Sequence, residues 1–332
     1  MHHEKLRVLV VGGGPSSEHE VSLHTAQNVF DNLRPDRYEA TLATITKDGT
    51  WLIPSFLPME MHEAMPLLRD ITDVVFIALH GEFGENGQLQ SLFDRYHVLY
   101  TGSGAEASRL GMHKIIARDR FRAAGIAVPP AMNFAYGVYE RAHREILGAI
   151  ASKFVFPVVV KPVDRGSSVG VSIAHALPYV EEGIHNVFHY SPHAMAEQFV
   201  SGTELSCGVL ELHGGKLQSL IPTEIVPKKE SFFGYDSKYS PDGSEEITPA
   251  RVPKSVLRKA QDIAVTAHRM LGCRGYSRTD MIWDKQKDML NILEINTLPG
   301  FTNTSIFPQQ ALVAGFRFSD VLDTIIASAF RK

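Results

Sequence analysis

The chain has 332 residues, 33 Lys and Arg against 37 Asp and Glu, and a formal net charge of -4 with no long block of one sign. That excludes the concentrated basic face of a nucleic-acid or membrane-surface protein. Two cysteines, Cys207 and Cys273, exclude a disulfide framework and suit a cytoplasmic protein, while no apolar run reaches the roughly 18 residues of a membrane span.

In chain order, the apolar run 7–11 reads as a strand that passes through Gly12, Gly13 and Gly14 into a helix over 18–33. Strands over 39–46 and 74–79 and a helix from about Gln88 follow, which is the alternation of an open α/β unit with a parallel sheet. A helix over 114–124 stops at Gly125, with Pro129 and Pro130 just beyond as a boundary signal. Next come a helix over 140–152, a strand over 154–162, a Gly/Ser loop, and strands near 169–173, 194–200 and 204–212. Residues 229–251 are polar and turn-rich, and a loop of roughly twenty residues inside a compact enzyme is usually functional. Val256, Leu257, Ala260, Ile263, Ala264, Ala267 and Leu271 then recur at helical spacing until Gly272. Strands over 276–283 and 289–296 are joined by a DKQKD turn, and a last helix covers about 319–330.

The first turn, GGGPSSEHEVS, raises the question of a dinucleotide site. That fingerprint needs G-x-G-x-x-G and an acid roughly 20 residues on. Here Pro15, Ser16 and Ser17 follow the glycines, Asp48 lies too far along, and no GK[ST] completes a P-loop. Ser17 and Glu20 read instead as an S-x-x-E capping box. Glu18 falls in the first helical turn, where local sequence makes it a macrodipole stabiliser worth under about 1 kcal/mol.

Chemistry is spelled out further along, in GYSRTDMIWDKQKDMLNILEINTLPGFTNTS. Side chains two apart on a strand share a face, so Arg278 projects with Asp280, and Glu294 with Asn296. A hairpin centred near Lys287 sets Asp280 opposite Glu294, gathering three hard oxygen ligands suited to Mg²⁺. An exposed hairpin with a cross-strand ion pair is the plain alternative; apolar Met281, Ile282, Leu293 and Ile295 favour a partly buried sheet. In FPVVVKPVDRGSSVGVS, Lys161 ends an apolar strand before Gly166, Ser167, Ser168 and Gly170, a loop able to cradle phosphoryl oxygens. His80, in HGEFGENGQLQ, leaves the same sheet edge as the glycine turn and is either structural or a neighbour of Glu18 in the crevice. Lys238 and Tyr239 lie in the long loop, where a solvated surface is the default.

Together GGGPSSEHEVS, HGEFGENGQLQ, YTGSG with MHK, VVVKPVDRGSSVGVS, EQFVSGTE, YDSKY, SRTDM and LEINTLPGFTNTS resemble, in order and over nearly the whole chain, the D-alanine–D-alanine ligases of the ATP-grasp superfamily. The resemblance implies an α/β fold in which a Rossmann-like N-terminal domain (1–111) precedes a two-part ATP-grasp fold, a central lid (112–200) and a C-terminal domain (201–332). It further implies that Glu18 holds the first D-alanine's ammonium with His80 nearby, and that Lys114 and Lys161 bind ATP phosphates under the Ser167 and Ser168 loop. Glu197, Gln198 and Val200 would meet adenine, largely through backbone groups, and Glu204 the ribose. Asp280, Glu294 and Asn296 would hold two Mg²⁺ ions, with Mn²⁺ as a substitute; Arg278 and the Gly300 amide would stabilise an oxyanion. Ser305 and Lys238 would bind the second alanine's carboxylate, and Tyr239 would join Glu18 and Ser167 in a network closing the long loop.

On this likeness the chain is expected to act as a cytoplasmic homodimer that makes D-alanyl-D-alanine for peptidoglycan precursors. Its partners are then small molecules, D-alanine and ATP. GENG in place of GEDG, Phe301 where methionine is frequent, and Arg165 ahead of the Gly-Ser-Ser run depart from the pattern. GCRG and NTLPGFT also occur in D-alanine–D-lactate ligases, but the intact Lys238–Tyr239 pair favours an amine acceptor over a hydroxy acid. D-serine or another amino acid as second substrate is the alternative.

Overall fold

The structure, a computed structural model, describes residues 5–228 and 244–331. The first sheet is formed by β1 (Leu6–Gly13), β2 (Tyr38–Ile45), β3 (Trp51–Leu52) and β4 (Val74–Ile77), in the order β3-β2-β1-β4. β1 pairs in parallel with β2 and β4, and only the short edge strand β3 is antiparallel. Residues 8–13 of β1 and all of β4 are buried, as expected for parallel strands covered on both faces. Around the sheet lie α1 (His19–Asn32), α2 (Met61–Ile71) and α3 (Gln88–Tyr96), followed by α4 (Ala105–Met112) and α5 (Lys114–Ala123).

The glycine turn owes its composition to packing. A Cβ on Gly12 would lie 2.5 Å from the Ala26 Cβ and 2.7 Å from the Ser22 carbonyl oxygen, so α1 approaches β1 only because the side chain is missing. Gly13, at φ +86°, would meet the Ile45 carbonyl oxygen at 2.2 Å. The N-cap position falls one residue beyond the expected Ser17. The helix starts at His19, with Glu18 in the N-cap position, and the hydroxyl that accepts the Glu18 amide is that of Ser16, at 3.2 Å. Glu20 lies on the exposed side, 3.7 Å from the Lys47 ammonium.

The second sheet, β5 (Ala131–Ala135), β6 (Val158–Pro162), β7 (Ser172–Ala174) and β8 (His193–Gln198), runs in the order β5-β8-β6-β7 and is antiparallel throughout. Helices α6 (Tyr136–Lys153) and α7 (Leu177–Val187) cover one side and close a core of their own around Phe134, Ile150, Val160 and Ile184. The strand expected from residue 169 begins only at Ser172. Ser167 and Ser168 take left-handed φ values of 50° and 58°, and the amides of Val169 and Val171 turn back to the carbonyls of Gly166 and Ser168.

The third sheet has the order β12-β11-β9-β13-β14, with β10 beside β9. Its strands are β9 (Thr203–Glu211), β10 (Leu217–Ser219), β11 (Thr223–Pro227), β12 (Ser244–Ile247), β13 (Tyr276–Asp284) and β14 (Met289–Asn296). β12 falls inside the segment expected to be loop: its antiparallel partner is β11, with Glu246 opposite Ile225. Helix α8 (Lys254–Leu271) packs Val256, Ala260, Ala264 and Ala267 on this sheet and ends at Gly272, φ 68°. Two further helices close the chain, α9 (Ile306–Val313) and α10 (Phe318–Ala329). Helix α5 shares the third sheet's core through Ala117 and Phe121, while α10 and the 298–307 segment share the first sheet's core.

Candidate active site

A cleft of about 1170 Å³ opens where the three sheets meet. Its walls include Glu18 from the start of α1, His80 after β4, Lys114 at the start of α5 and Ser167 from the β6–β7 loop. Glu204 on β9, Arg278 and Asp280 on β13, Glu294 and Asn296 on β14, and Gly300 and Ser305 beyond it complete the set. The fold therefore gathers residues nearly 290 positions apart, from Glu18 to Ser305, around one space.

The hairpin register matches its sequence reading: Asp280 stands opposite Glu294 and Arg278 opposite Asn296, with an irregularity between Asp280 and Met281. Arg278 grips Asp280 at two points, Nε to Oδ1 at 3.0 Å and Nη2 to Oδ2 at 2.8 Å. Ser206, across on β9, donates to Oδ1 at 2.6 Å. Burial works against the Arg278 charge, but the Asp280 carboxylate, its hydrogen bonds and Glu294 more than offset it, so the guanidinium pKa is raised. Arg278 is thus a fixed cation. The Lys114 ammonium lies 3.4 Å from Glu294 Oε2 and donates to the Arg165 carbonyl, which ties α5 to the β6–β7 loop.

On the opposite wall Glu18 is buried, with Oε2 packed where a Gly81 Cβ would come within 2.9 Å. His80 is held on every side. Its amide donates to Ser22 Oγ at 2.9 Å, its carbonyl accepts from Ser16 Oγ at 2.7 Å, and its ring nitrogens meet Leu298 O and Thr25 Oγ1. Because a carbonyl only accepts, Nδ1 carries the proton toward Leu298 and Nε2 accepts from Thr25 in the neutral ring. His80 is therefore both structural and part of the cleft wall.

Ser305 sits at the N-cap of α9, where helix amides favour an anion, and its hydroxyl accepts the Thr302 amide at 3.0 Å. Gly300 is required beside it, since a Cβ there would lie 2.7 Å from Ser305 Oγ. Lys161, Ser168, Glu197, Gln198 and Val200 are not on the described wall of the cleft. Lys161 is buried with its ammonium 2.7 Å from Glu197 Oε1, and Glu197 also takes Arg118 Nη1. The Gln198 amide side chain clamps Val155 N and O at 2.9 and 2.8 Å, its own amide donates to Pro130, and half-buried Val200 follows β8. Lys238 and Tyr239 lie outside the described residues.

Glu85 and Glu246, like exposed Asp31, line the cleft without a role from the sequence. Glu85 accepts the Gly81 amide at 3.0 Å and lies 3.7 Å from His80 Nδ1. Burial, with Glu18's charge, pushes its pKa up against the pull of His80. Glu246 on β12 is likewise raised, first by burial and then by Asp280, against Arg278 and Gln309. An acid four residues after a turn glycine was the available signal for Glu85. Glu246 had none, because its place depends on β11. Among the described residues no three His, Cys, Asp or Glu side chains cluster at metal-binding separations, so any cation here leans on Asp280, Glu294 and the Asn296 amide oxygen.

A cleft bordered by two antiparallel sheets, with Lys114 on its wall, Lys161 buried behind it and a paired-acid hairpin opposite, defines an ATP-grasp ligase. The D-ala D-ala ligase N-terminus model matches residues 7–68 and 57–103, and the D-ala D-ala ligase C-terminus model residues 121–327. A D-alanine–D-alanine ligase of Geotalea uraniireducens is 39% identical, over 98% of this chain and 96% of the relative. Among solved structures, the VanG D-Ala:D-Ser ligase of Enterococcus faecalis has a TM-score of 0.86 at 29% identity, covering 98% of this chain and 100% of that one. The D-alanine–D-alanine ligase of Coxiella burnetii has a TM-score of 0.79 at 26% identity, covering 98% and 94%. The chain belongs to the D-alanine–D-alanine ligase family.

Proposed function

We propose that the protein condenses two D-alanine molecules to D-alanyl-D-alanine with conversion of ATP to ADP and phosphate, as a step toward peptidoglycan precursors. One observation carries the reading: a buried carboxylate, Glu18, faces Arg278, Asp280, Glu294 and Ser305 across a single cleft. That spacing offers an ammonium grip, a phosphoryl site and a carboxylate site in one space. Glu18 binds the first alanine's ammonium, leaving its carboxylate to attack the γ-phosphoryl group beside Lys114 and Lys161. The second alanine, its carboxylate at the α9 N-terminus by Ser305 and Lys238, then attacks the acylphosphate carbonyl. Arg278 and the Gly300 amide receive the oxyanion, and phosphate leaves. Tyr239, with Glu18 and Ser167, closes the long loop and keeps water from the acylphosphate. Adenine lies against Glu197, Gln198 and Val200, with the ribose at Glu204 and Ser168 in the phosphate loop.

Asp280, Glu294 and Asn296 form an oxygen donor set, opposed across the hairpin, that fits divalent cations even with Arg278 on Asp280, since a carboxylate has lone pairs to spare. When bound, two Mg²⁺ ions supply charge neutralisation for phosphoryl transfer. The chain is read as three domains, 1–111, 112–200 and 201–332, forming a cytoplasmic homodimer. No helix among the described residues is long and apolar enough to cross a membrane. Phosphate release should require ATP, Mg²⁺ and D-alanine together. Release with another amino acid and none with D-alanine would sink the assignment. Likeness to the VanG D-Ala:D-Ser ligase favours D-serine as the second reading; product mass spectrometry over a D- and L-amino-acid panel separates the two.

A further inference from the structure

Three charged side chains meet in the interior between α5 and the second sheet. Arg118 is 3% exposed, Glu197 2% and Lys161 7%. Arg118 Nη1 donates to Glu197 Oε2 and Nη2 to the Pro129 carbonyl, while the Lys161 ammonium lies 2.7 Å from Oε1 of the same carboxylate. The carboxylate is thus divided between two cations. The arrangement also crosses a boundary: Arg118 rides on a helix whose Ala117 and Phe121 belong to the third sheet's core, whereas Glu197 lies on β8 beside Ala194 and Ala196 of the second sheet's core.

Charge counting gives this geometry a consequence. A buried Lys161–Glu197 pair alone would be neutral, its ammonium satisfied by the carboxylate. With Arg118 on the other oxygen the group carries one surplus positive charge. A surplus buried cation is costly unless an anion completes it. We propose that Arg118 is a positioning residue for nucleotide binding: by taking one oxygen of Glu197 it leaves the Lys161 ammonium oriented and incompletely neutralised, ready for the phosphates of ATP. The inference rests on the reading of Lys161 as a phosphate ligand given above. Arginine suits the task because its planar fork reaches Glu197 and Pro129 at once, which a lysine cannot do.

The test is titration calorimetry of full-length protein with the non-hydrolysable analogue AMP-PNP and Mg²⁺, alongside KM for ATP and for D-alanine. Arg118→Gln should weaken AMP-PNP and raise the ATP KM roughly tenfold, with the D-alanine KM within about twofold. Arg118→Lys keeps the charge without the two-point grip and should lose about threefold, and it carries the test if Arg118→Gln fails to fold. In Arg118→Gln/Glu197→Gln the carboxylate that neutralises Lys161 is gone, so affinity should recover above Arg118→Gln, which a purely structural role would not produce. Arg118 variants that bind AMP-PNP like wild type, while Lys161→Gln does not, overturn the inference. Lys161→Gln with unchanged affinity instead overturns the reading of Lys161 beneath it.

Discussion

Arg278 and Asp280 lie two residues apart on β13 and lock each other through two hydrogen bonds, whereas Glu294 on the facing strand is partly open to the cleft. The two acids should therefore fail differently when removed. Glu294→Ala should lower turnover by roughly a thousandfold or more with the smaller loss of melting temperature, since the Lys114 ammonium keeps the Arg165 carbonyl as a partner. Asp280→Ala should abolish turnover and also destabilise by about 1–3 kcal/mol, because it removes both carboxylate bonds of Arg278 and the acceptor of the buried Ser206 hydroxyl. Phosphate-release assays paired with thermal melts check both, and a Glu294→Ala enzyme of near-normal rate would contradict the ligand assignment. At Gly81 a methyl group would crowd Glu18 Oε2 at 2.9 Å from a backbone at φ +76°. Gly81→Ala should raise the KM for D-alanine severalfold and spare that for ATP, which steady-state kinetics at saturating ATP would reveal. At this scale sequence was a good guide to the side chains of the hairpin, since strand alternation alone put Arg278 with Asp280. It was a poor guide to Glu18, whose burial depends on Gly81, more than sixty residues away, and to Ser16, whose hydroxyl joins the Glu18 amide to the His80 carbonyl.

His268 on α8 meets Ser277 on β13 at 2.7 Å in the interior, and burial lowers its pKa to about 4. The folded protein therefore keeps this imidazole neutral where the unfolded chain would protonate it. Between about pH 6.5 and 4 the unfolded state binds more protons, so stability falls as pH falls through that window and is fully present above it. The loss reaches roughly 3 kcal/mol at the acid end. His268→Gln should flatten the dependence of melting temperature on pH over that range; parallel wild-type and mutant curves would contradict it. Helix α8 itself was plain in the sequence, because its apolar residues repeat with the helical period and Gly272 stops it. Other elements were hidden for physical reasons. α7 carries Gly183, a poor helix former, in its interior, where a Cβ would meet Ser172 Oγ at 2.4 Å. Pro66 similarly masks α2. β12 is a four-residue edge strand with two glutamates, and only pairing with β11 makes it a strand.

Across the molecule the apolar interior is divided unevenly. The first sheet's core continues into Tyr276, Phe301, Phe307, Val321 and Ile325, so the two ends of the chain share one interior. Arg34 reinforces that union with bonds to Asp320 and Asp323 on α10, and Asn28 donates to the Phe301 carbonyl at 2.5 Å. Among the described residues, the second sheet encloses a core drawn from residues between Met132 and Ala196. It reaches the rest through polar links, chiefly Arg118–Glu197, Lys114 to the Arg165 carbonyl, and the 2.9 Å ion pair of Arg165 with Glu82. Units that share apolar core open together, whereas a unit joined by polar contacts opens at lower free energy. Hydrogen exchange should accordingly find β6, β7 and α7 less protected than β1, β4 and α10, with the last three exchanging in step. AMP-PNP with Mg²⁺ spans Lys114, Lys161 and Glu294 in the proposed site, and a ligand that bridges two units adds its binding free energy to their union. Protection should then rise in β6 and β7 by far more than in β1 or α10. Equal protection of all three sheets without nucleotide would mean that the polar links hold the second sheet as firmly as a shared core does.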